Sequence, residues 1–520
     1  MKRIITALAL CVFSTVTARS AVSALTSAGA EPEPVRINYP RIFGVRPGSP
    51  FLFRVPVSGS RPFTVTARGL PRGLRLDPAT GIVRGVIKEL EKQKTHPVIF
   101  TAKNAGGSST QTIRFVVGDR ICLTPPMGWN SWYVWYHNLT EKHFRDAATA
   151  FERNGLAGHG WSYISLDDCW QGERAGPEQG RALQPNAKFP DLKGAVDYIH
   201  SLGFKAGIYT TPWVGSYAGF RGSTCDNAEG SYRGLAPDKC PQPDQIFFHP
   251  EQFGAMRVGP HWFMEADVQQ MADWGFDLVK VDWTPNDLPT TSRVSKIVRA
   301  QKRDLALSLS NEASFQNAAE YAKLAEMWRT TGDNADVWSH ITDLGFAQLP
   351  WAPYAGPGHW NDSDMLMFGY LFSGVDGGPR RHTNLTRDEQ RSKFTIWCLN
   401  ASPLIISSDP DRLDGFTLSM MSNDEVIAVD QDPLGKPAKE MPPQGALRLF
   451  VREMEDGALV LGVINMGEAC VEKIPWAKFG LAAEPRAVRD LWANHDLVAA
   501  DHLLAALPAH ASLLLRTMSR

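Results

Sequence analysis

Residues 264–283 read MEADVQQMADWGFDLVKVDW, and the fold of the central region follows from how this stretch divides. Met264, Val268, Met271 and Ala272 recur at helical spacing, which predicts one apolar face over Met264–Trp274. Gly275 stands where a helix ends in a left-handed residue, and Phe276 follows it. The next run, Asp277–Val281, is short and apolar, the pattern of a strand buried on both faces. Its polar residues, Lys280 and Asp282, come at its end and fall on one face, because side chains alternate along a strand.

Outward from this unit the same strand, loop, helix rhythm begins after Thr124-Pro125-Pro126 and repeats about eight times, as a parallel α/β barrel requires. Further strands are predicted at Tyr163–Leu166, Lys205–Tyr209, Leu305–Ser310, Met327–Thr330 and Leu404–Ser407. Amphipathic helices are predicted at Phe144–Asn154, Leu192–Leu202, Ser292–Lys302, Phe315–Leu324 and Arg387–Asn400. On either side the pattern changes to short β-branched and aromatic runs broken by turn residues, which predicts β-domains. The expected organisation is a signal peptide at 1–24, a linker at 25–34, an immunoglobulin-like β-sandwich at 35–118, the (β/α)8 TIM barrel at 123–429 and a C-terminal antiparallel β-sandwich at 436–520.

The composition is that of an ordinary soluble chain: 43% hydrophobic and 21% charged residues, with 54 Lys+Arg against 55 Asp+Glu. That balance gives no basis for a nucleic-acid or membrane-surface partner. Sixteen Trp leave aromatic faces to spare for stacking on sugar rings, although Trp129, Trp161 and Trp274 are read as core. Met1-Lys2-Arg3 followed by an apolar run to Val16 and small residues through Ala24 reads as a secretory signal, so the mature chain is expected to be secreted or periplasmic. In an oxidising compartment Cys225 and Cys240, close together in a Gly/Asp/Pro-rich loop, are expected to form a disulfide.

An α/β barrel works at the C-terminal ends of its strands, and there this chain is acidic. The ends read Leu166-Asp167-Asp168-Cys169-Trp170, Lys280-Val281-Asp282, Ser310-Asn311-Glu312, Arg329 with Asp333 beyond it, and Trp360-Asn361-Asp362-Ser363-Asp364-Met365. One Asp in such a place is more often the cap of the next helix than a catalyst. Five acidic strand ends together favour glycosidic-bond chemistry, which needs one carboxylate ionised as nucleophile and a second protonated as acid, roughly 5 to 5.5 Å apart when configuration is retained. Lys280 is expected to hold Asp282 ionised or to bind sugar hydroxyls. No His pair has metal-ligand spacing, and neither a metal nor a cofactor is expected.

From Thr124 to Gly435 the chain resembles glycoside hydrolase family 27, the α-galactosidases and α-N-acetylgalactosaminidases. The resemblance rests on Pro126-Met-Gly-Trp-Asn-Ser-Trp132, Leu166-Asp-Asp-Cys-Trp170, Gly207-Ile-Tyr209, Lys280-Val-Asp282, Arg329 with Asp333, Trp360-Asn-Asp-Ser-Asp364 and Ile427-Ala-Val-Asp-Gln-Asp-Pro-Leu-Gly435. It implies a retaining exo-glycosidase that removes terminal α-D-galactosyl groups, with Asp282 as nucleophile and Asp333 as acid/base. It also implies that Trp132, Asp167, Asp168, Tyr209 and Lys280 hold the galactose ring, with Trp170 beside them. Glu312 and Arg329 would lie on the 2-hydroxyl side, and Asp364 and Met365 would close the wall. The large residues Glu312 and Phe315 would stand where the family discriminates galactose from N-acetylgalactosamine, excluding the acetamide.

The chain departs from that pattern where a cleft disulfide is usual, since Tyr217 and Thr284 occupy the two cysteine places. Cys169 also lacks its usual partner and is expected to be a buried free thiol. Two alternatives of the same fold remain, an α-N-acetylgalactosaminidase and a β-L-arabinopyranosidase. Asp at 167, shorter than Glu, leaves room for a 6-hydroxymethyl group and favours galactose over arabinopyranose. A sugar-binding protein on an inactive barrel is the reading from another class.

Overall fold

The computed structural model describes residues 32–88, 94–231, 254–372, 379–481, 487–498 and 500–517. The central strands are β1 Met127–Asn130, β2 Tyr163–Ser165, β3 Lys205–Thr210, β4 Leu278–Asp282, β5 Ala306–Ser310, β6 Met327–Arg329, β7 Trp360–Asp362 and β8 Leu404–Ile406. From β1 to β7 each strand pairs in parallel with the next in sequence, and β8 pairs with β1. Closure between β7 and β8 runs through Leu366, just past β7, whose N–H donates to Ile405 and whose carbonyl accepts from Ser407. The result is the predicted closed barrel.

The crossover helices are α1 Glu141–Arg153, α2 Leu192–Ser201, α3 Met264–Trp274, α4 Leu288–Arg299, α5 Ala318–Leu324, α6 Trp338–Phe346 and α7 Arg387–Leu399. Local chemistry sets their ends. Thr140 and Asp287 cap α1 and α4, Thr386 and Glu389 form a reciprocal capping box on α7, and Gly275 ends α3 at φ 101°. Helix α6 was not legible, because Pro and Trp residues crowd the segment that follows it and its apolar face is short. The predicted start of α5 at Phe315 is instead a separate 3-10 turn, Phe315–Asn317, and α4 begins four residues before Ser292.

The N-terminal sandwich packs a sheet of strands Ile42–Val45, Gly107–Val117, Lys94–Asn104 and Thr64–Arg68 against one of Pro50–Arg54, Ile82–Val86 and Leu74–Leu76. Its own core holds Phe51, Phe53, Phe100 and Phe115. It braces the N-terminal side of the barrel: Arg46 Nε pairs with Asp304, just before β5, at 2.7 Å, and Asn38 donates to the Gly158 carbonyl at 2.8 Å. The C-terminal domain is a six-stranded antiparallel sheet facing the Cys470–Pro475/His502–Leu507 ribbon across a separate core. Trp129 and Trp161 are buried as the sequence suggests, each with its indole N–H donated to a backbone carbonyl. Among the described residues no helix is long and apolar enough to cross a membrane.

Candidate active site

Alternation along each strand carries every second residue into the barrel, and polarity rises toward the C-terminal end. Strand β4 contributes Leu278, then Lys280, then Asp282; β2 contributes Tyr163, Ser165 and then Asp167; β7 contributes Trp360, Asp362 and then Asp364. The lowest of these, with Ala306 and Met327, form an apolar cluster. Above it Ser165, Lys280, Ser308, Arg329 and Asp362, with Leu278, Met327 and Met365, surround a small space. The mouth opens into a cavity of about 520 Å³ lined by Trp132, Asp167, Asp168, Tyr209, Tyr217, Lys280, Asp282, Thr284, Asn311, Glu312, Arg329, Gly332, Asp333 and Met365. Gly207, in the middle of β3, is required by this packing, since a Cβ there would meet Ser165 Oγ at 2.2 Å.

One end of the cavity is closely paired. Lys280 Nζ meets Asp167 Oδ2 at 2.7 Å, and Asn130 donates to the same oxygen at 2.8 Å. Asp168 is buried and accepts from the Cys169 and Ala218 N–H groups and from Gln171 Nε2. Burial raises its affinity for a proton in spite of these donors. Lys280 is pulled down by burial but held above its ordinary value by Asp167 and Asp282. The Tyr209 hydroxyl points inward and has no hydrogen-bond partner among the described residues.

The other end carries Arg329 and the loop after β6. Arg329 Nη1 is 2.8 Å from Asp333 Oδ1 and 3.6 Å from Asp364 Oδ1. The Asp333 side chain is 56% exposed; its partial burial opposes ionisation, but Arg329 overrides that and holds the carboxyl below the ordinary range. Asp364 is buried, accepts from the Tyr133 hydroxyl at 2.9 Å and from the Asn334 N–H at 2.8 Å, and so fixes the residue next to Asp333.

Between the two ends lies Asp282. Burial pushes its carboxyl up to about 7, against the pull of Lys280 and Arg329 and with help from the Asp333 and Asp167 charges. Its one direct donor among the described residues is Asn311 Nδ2, 2.6 Å from Oδ1. Asn311 and Glu312 both have left-handed backbones, at φ 67° and 42°, as do Cys169 at 80° and Asp364 at 69°. Non-glycine residues in that region are uncommon, and four at the ends of barrel strands mark backbone shaped for side-chain placement.

The structure therefore brings together Asp282, Asp333, Trp132, Asp167, Asp168, Tyr209, Lys280, Glu312, Arg329 and Met365. Several expectations need correction. Lys280 lies on the same face as Asp282 but pairs with Asp167, and its pull on the Asp282 carboxyl is outweighed by burial. Trp170 is fully buried, donates to the Tyr209 carbonyl at 2.8 Å and supports the wall without lining it. Asp364 lies beneath the mouth and positions the Asp333 loop. Phe315, 45% exposed, packs edge-on against Trp351 at 5.1 Å and is not among the lining residues, whereas Glu312 is. Cys169 is a buried free thiol, and Cys225 is buried with its thiol donated to the Ser231 carbonyl at 3.3 Å. Its expected partner Cys240 lies outside the described residues, as does the signal segment.

Asn311, Asn130 and Tyr133 went unread as site residues. Asn is the side chain most at ease in a left-handed turn, so the Ser310-Asn311-Glu312 strand end held the only available clue to Asn311. Among the described residues no group of three or more His, Cys, Asp or Glu is arranged to hold a metal.

Comparison with known proteins agrees with this geometry. A family model described as alpha galactosidase A matches residues 124–233 and 254–432, an alpha galactosidase C-terminal beta sandwich model matches 444–517, and an Ig-domain model matches 33–118. The chain is 33% identical over 423 residues to an alpha-galactosidase of Oryza sativa subsp. japonica, covering 79% of this chain and 89% of that one. It is 34% identical over 415 residues to an alpha-galactosidase of Coffea arabica, covering 78% and 97%. A solved GH27 β-L-arabinopyranosidase from Geobacillus stearothermophilus superposes with a TM-score of 0.62 at 29% identity, over 76% of this chain and 96% of that one.

Proposed function

The chain belongs to the alpha galactosidase A family and is a glycoside hydrolase of α-galactosides, and we propose that it works by double displacement with Asp282 as nucleophile and Asp333 as acid/base. The observation that carries this reading is that two carboxylates in contrasting environments, one buried and one half-exposed on Arg329, line a single cavity at the barrel mouth. An Asp282 oxygen attacks the anomeric carbon while Asp333 gives its proton to the departing glycosidic oxygen. Asp333 then takes a proton from the water that cleaves the ester to Asp282, and both carboxyls return to their starting states.

Below about pH 7 the pair holds a proton on Asp282. Reaction needs the same proton on Asp333. Positive charge developing at the anomeric carbon favours ionised Asp282, so filling the site moves the proton without changing the count. Asp167, Asp168 and Lys280 supply acceptors and a donor for the hydroxyls of a terminal α-galactosyl group, and Trp132 and Tyr209 supply apolar walls. Glu312 and Arg329 face the 2-hydroxyl side.

The leader at 1–24 supports export of the enzyme, and N-terminal sequencing of secreted protein tests it. Boundaries at 25–34, 35–118, 123–429 and 436–520 complete the proposed organisation, with a Cys225–Cys240 bond tested by non-reducing peptide mapping. The central test is Asp282→Gly. Turnover of 4-nitrophenyl α-D-galactopyranoside should fall by several orders of magnitude, and external azide should restore part of it as the β-galactosyl azide. Full activity in that variant, or faster cleavage of 4-nitrophenyl β-L-arabinopyranoside by the parent enzyme, would displace the reading.

A further inference from the structure

Register puts Ser310 of β5 directly beside Asp282 of β4, so the next residue, Asn311, stands over the carboxylate. A strand continuing straight would carry Asn311 outward. The left-handed turns at Asn311 and Glu312 bring its amide back across β4 instead, to 2.6 Å from Asp282 Oδ1. The same amide reaches the hydroxyl of Tyr217, which lines the cavity and leans on Trp213 with ring centroids 5.0 Å apart.

We propose that Asn311 is a positioning residue for the nucleophile, holding Asp282 Oδ1 so that Oδ2 alone faces the anomeric carbon, with Tyr217 fixing the amide. This rests on the assignment of Asp282 as nucleophile. The charged and titratable groups around that carboxyl are Lys280 on its own strand, Asp167 from the end of β2, Tyr209 from β3, Tyr217 from the loop after it, Glu312 on the same turn as Asn311, and Arg329 and Asp333 from β6. None of the cations touches it directly: Lys280 is committed to Asp167 and Arg329 to Asp333. The amide is therefore its one direct donor among the described residues, and a donor to a carboxylate both aims it and favours its ionised form.

Asn311→Gly tests this without disturbing the turn, since glycine adopts φ 67° freely. Loss of a hydrogen bond to a charged group predicts a fall in kcat of about 10-fold to 100-fold, with KM little changed. The basic limb of kcat/KM against pH should move upward, because the last proton of the pair is held more tightly. Asn311→Asp keeps the size and the tolerance of the turn while adding a like charge, and should move the limb at least as far; it also keeps the test alive should the glycine variant fold poorly. Tyr217→Phe should shift the limb in the same direction by less. A kcat and basic limb in Asn311→Gly that match the parent enzyme would overturn the proposal. Trapping the parent enzyme with a 2-deoxy-2-fluoro α-galactosyl fluoride separates the two levels of inference. Label on Asp282 with an unaffected Asn311→Gly sinks only the positioning role, and label on another residue sinks both.

Discussion

The two ends of the barrel are built from the same strands and differ in almost everything else. At the N-terminal end Tyr163, Leu278, Ala306, Met327 and Trp360 close the interior with apolar contacts, and the N-terminal sandwich is braced against that side. At the C-terminal end, two to four residues further along the same strands, Asp167, Asp282 and Arg329 surround open space, and the backbone turns left-handed at Cys169, Asn311, Glu312 and Asp364. One end holds the strands together; the other uses that rigidity to hold the Lys280–Asp167 and Arg329–Asp333 pairs on either side of Asp282. Buried charge of this kind destabilises, and the apolar layer below offsets it.

The contrast can be broken at its charged end first. Asp333→Ala should slow substrates with poor leaving groups by about 10²- to 10⁴-fold while sparing activated aryl galactosides, because a good leaving group needs little protonation. Equal losses on both, in steady-state assays, would move the acid elsewhere. Next in size is selectivity at carbon 2. With Glu312 on that wall, kcat/KM for the 4-nitrophenyl α-galactoside should exceed that for the α-N-acetylgalactosaminide by about 10²-fold, through steric exclusion and an unpaired carboxylate. Since Phe315 faces Trp351 instead, Glu312→Ser should remove most of that preference; an unchanged ratio would show that another residue sets it.

How much of this was legible depended on distance along the chain. Barrel strands, their acidic ends and most helices could be read, because alternation, helical spacing and terminal glycines are local signals. Pairings between strands could not. That Lys280 would choose Asp167 over the nearer-in-sequence Asp282, or that Asn311 would donate to Asp282, depends on register and on two left-handed residues that periodicity does not report. Phe315 lies off the cavity for a related reason, since after the turn at Asn311 and Glu312 it packs against Trp351.

At the apolar end the effects should appear in stability alone. Leu278→Ala should cost about 2–5 kcal/mol against unfolding by urea, while kcat/KM of the folded protein stays near that of the parent. Lys280→Met, one inward position higher, should lose activity as well as stability, because it leaves the buried Asp167 carboxylate without its cation. The smallest effect is on pH. With the Asp282 carboxyl at about 7, the pair loses its last proton above that value, and kcat/KM should fall about tenfold per unit there. Because Arg329 keeps Asp333 below the ordinary carboxylate range, no matching fall should occur until well into acid. A profile flat through pH 8 would contradict the shared proton.

The most direct test of the account is the identity of the residue that carries the sugar. After reaction with a 2-deoxy-2-fluoro α-galactosyl fluoride and peptic digestion, mass spectrometry should find the fluorogalactosyl group on the peptide bearing Lys280-Val281-Asp282, with fragmentation placing it on Asp282. Label on Asp333 or Asp167, or inactivation without any covalent adduct, would contradict it.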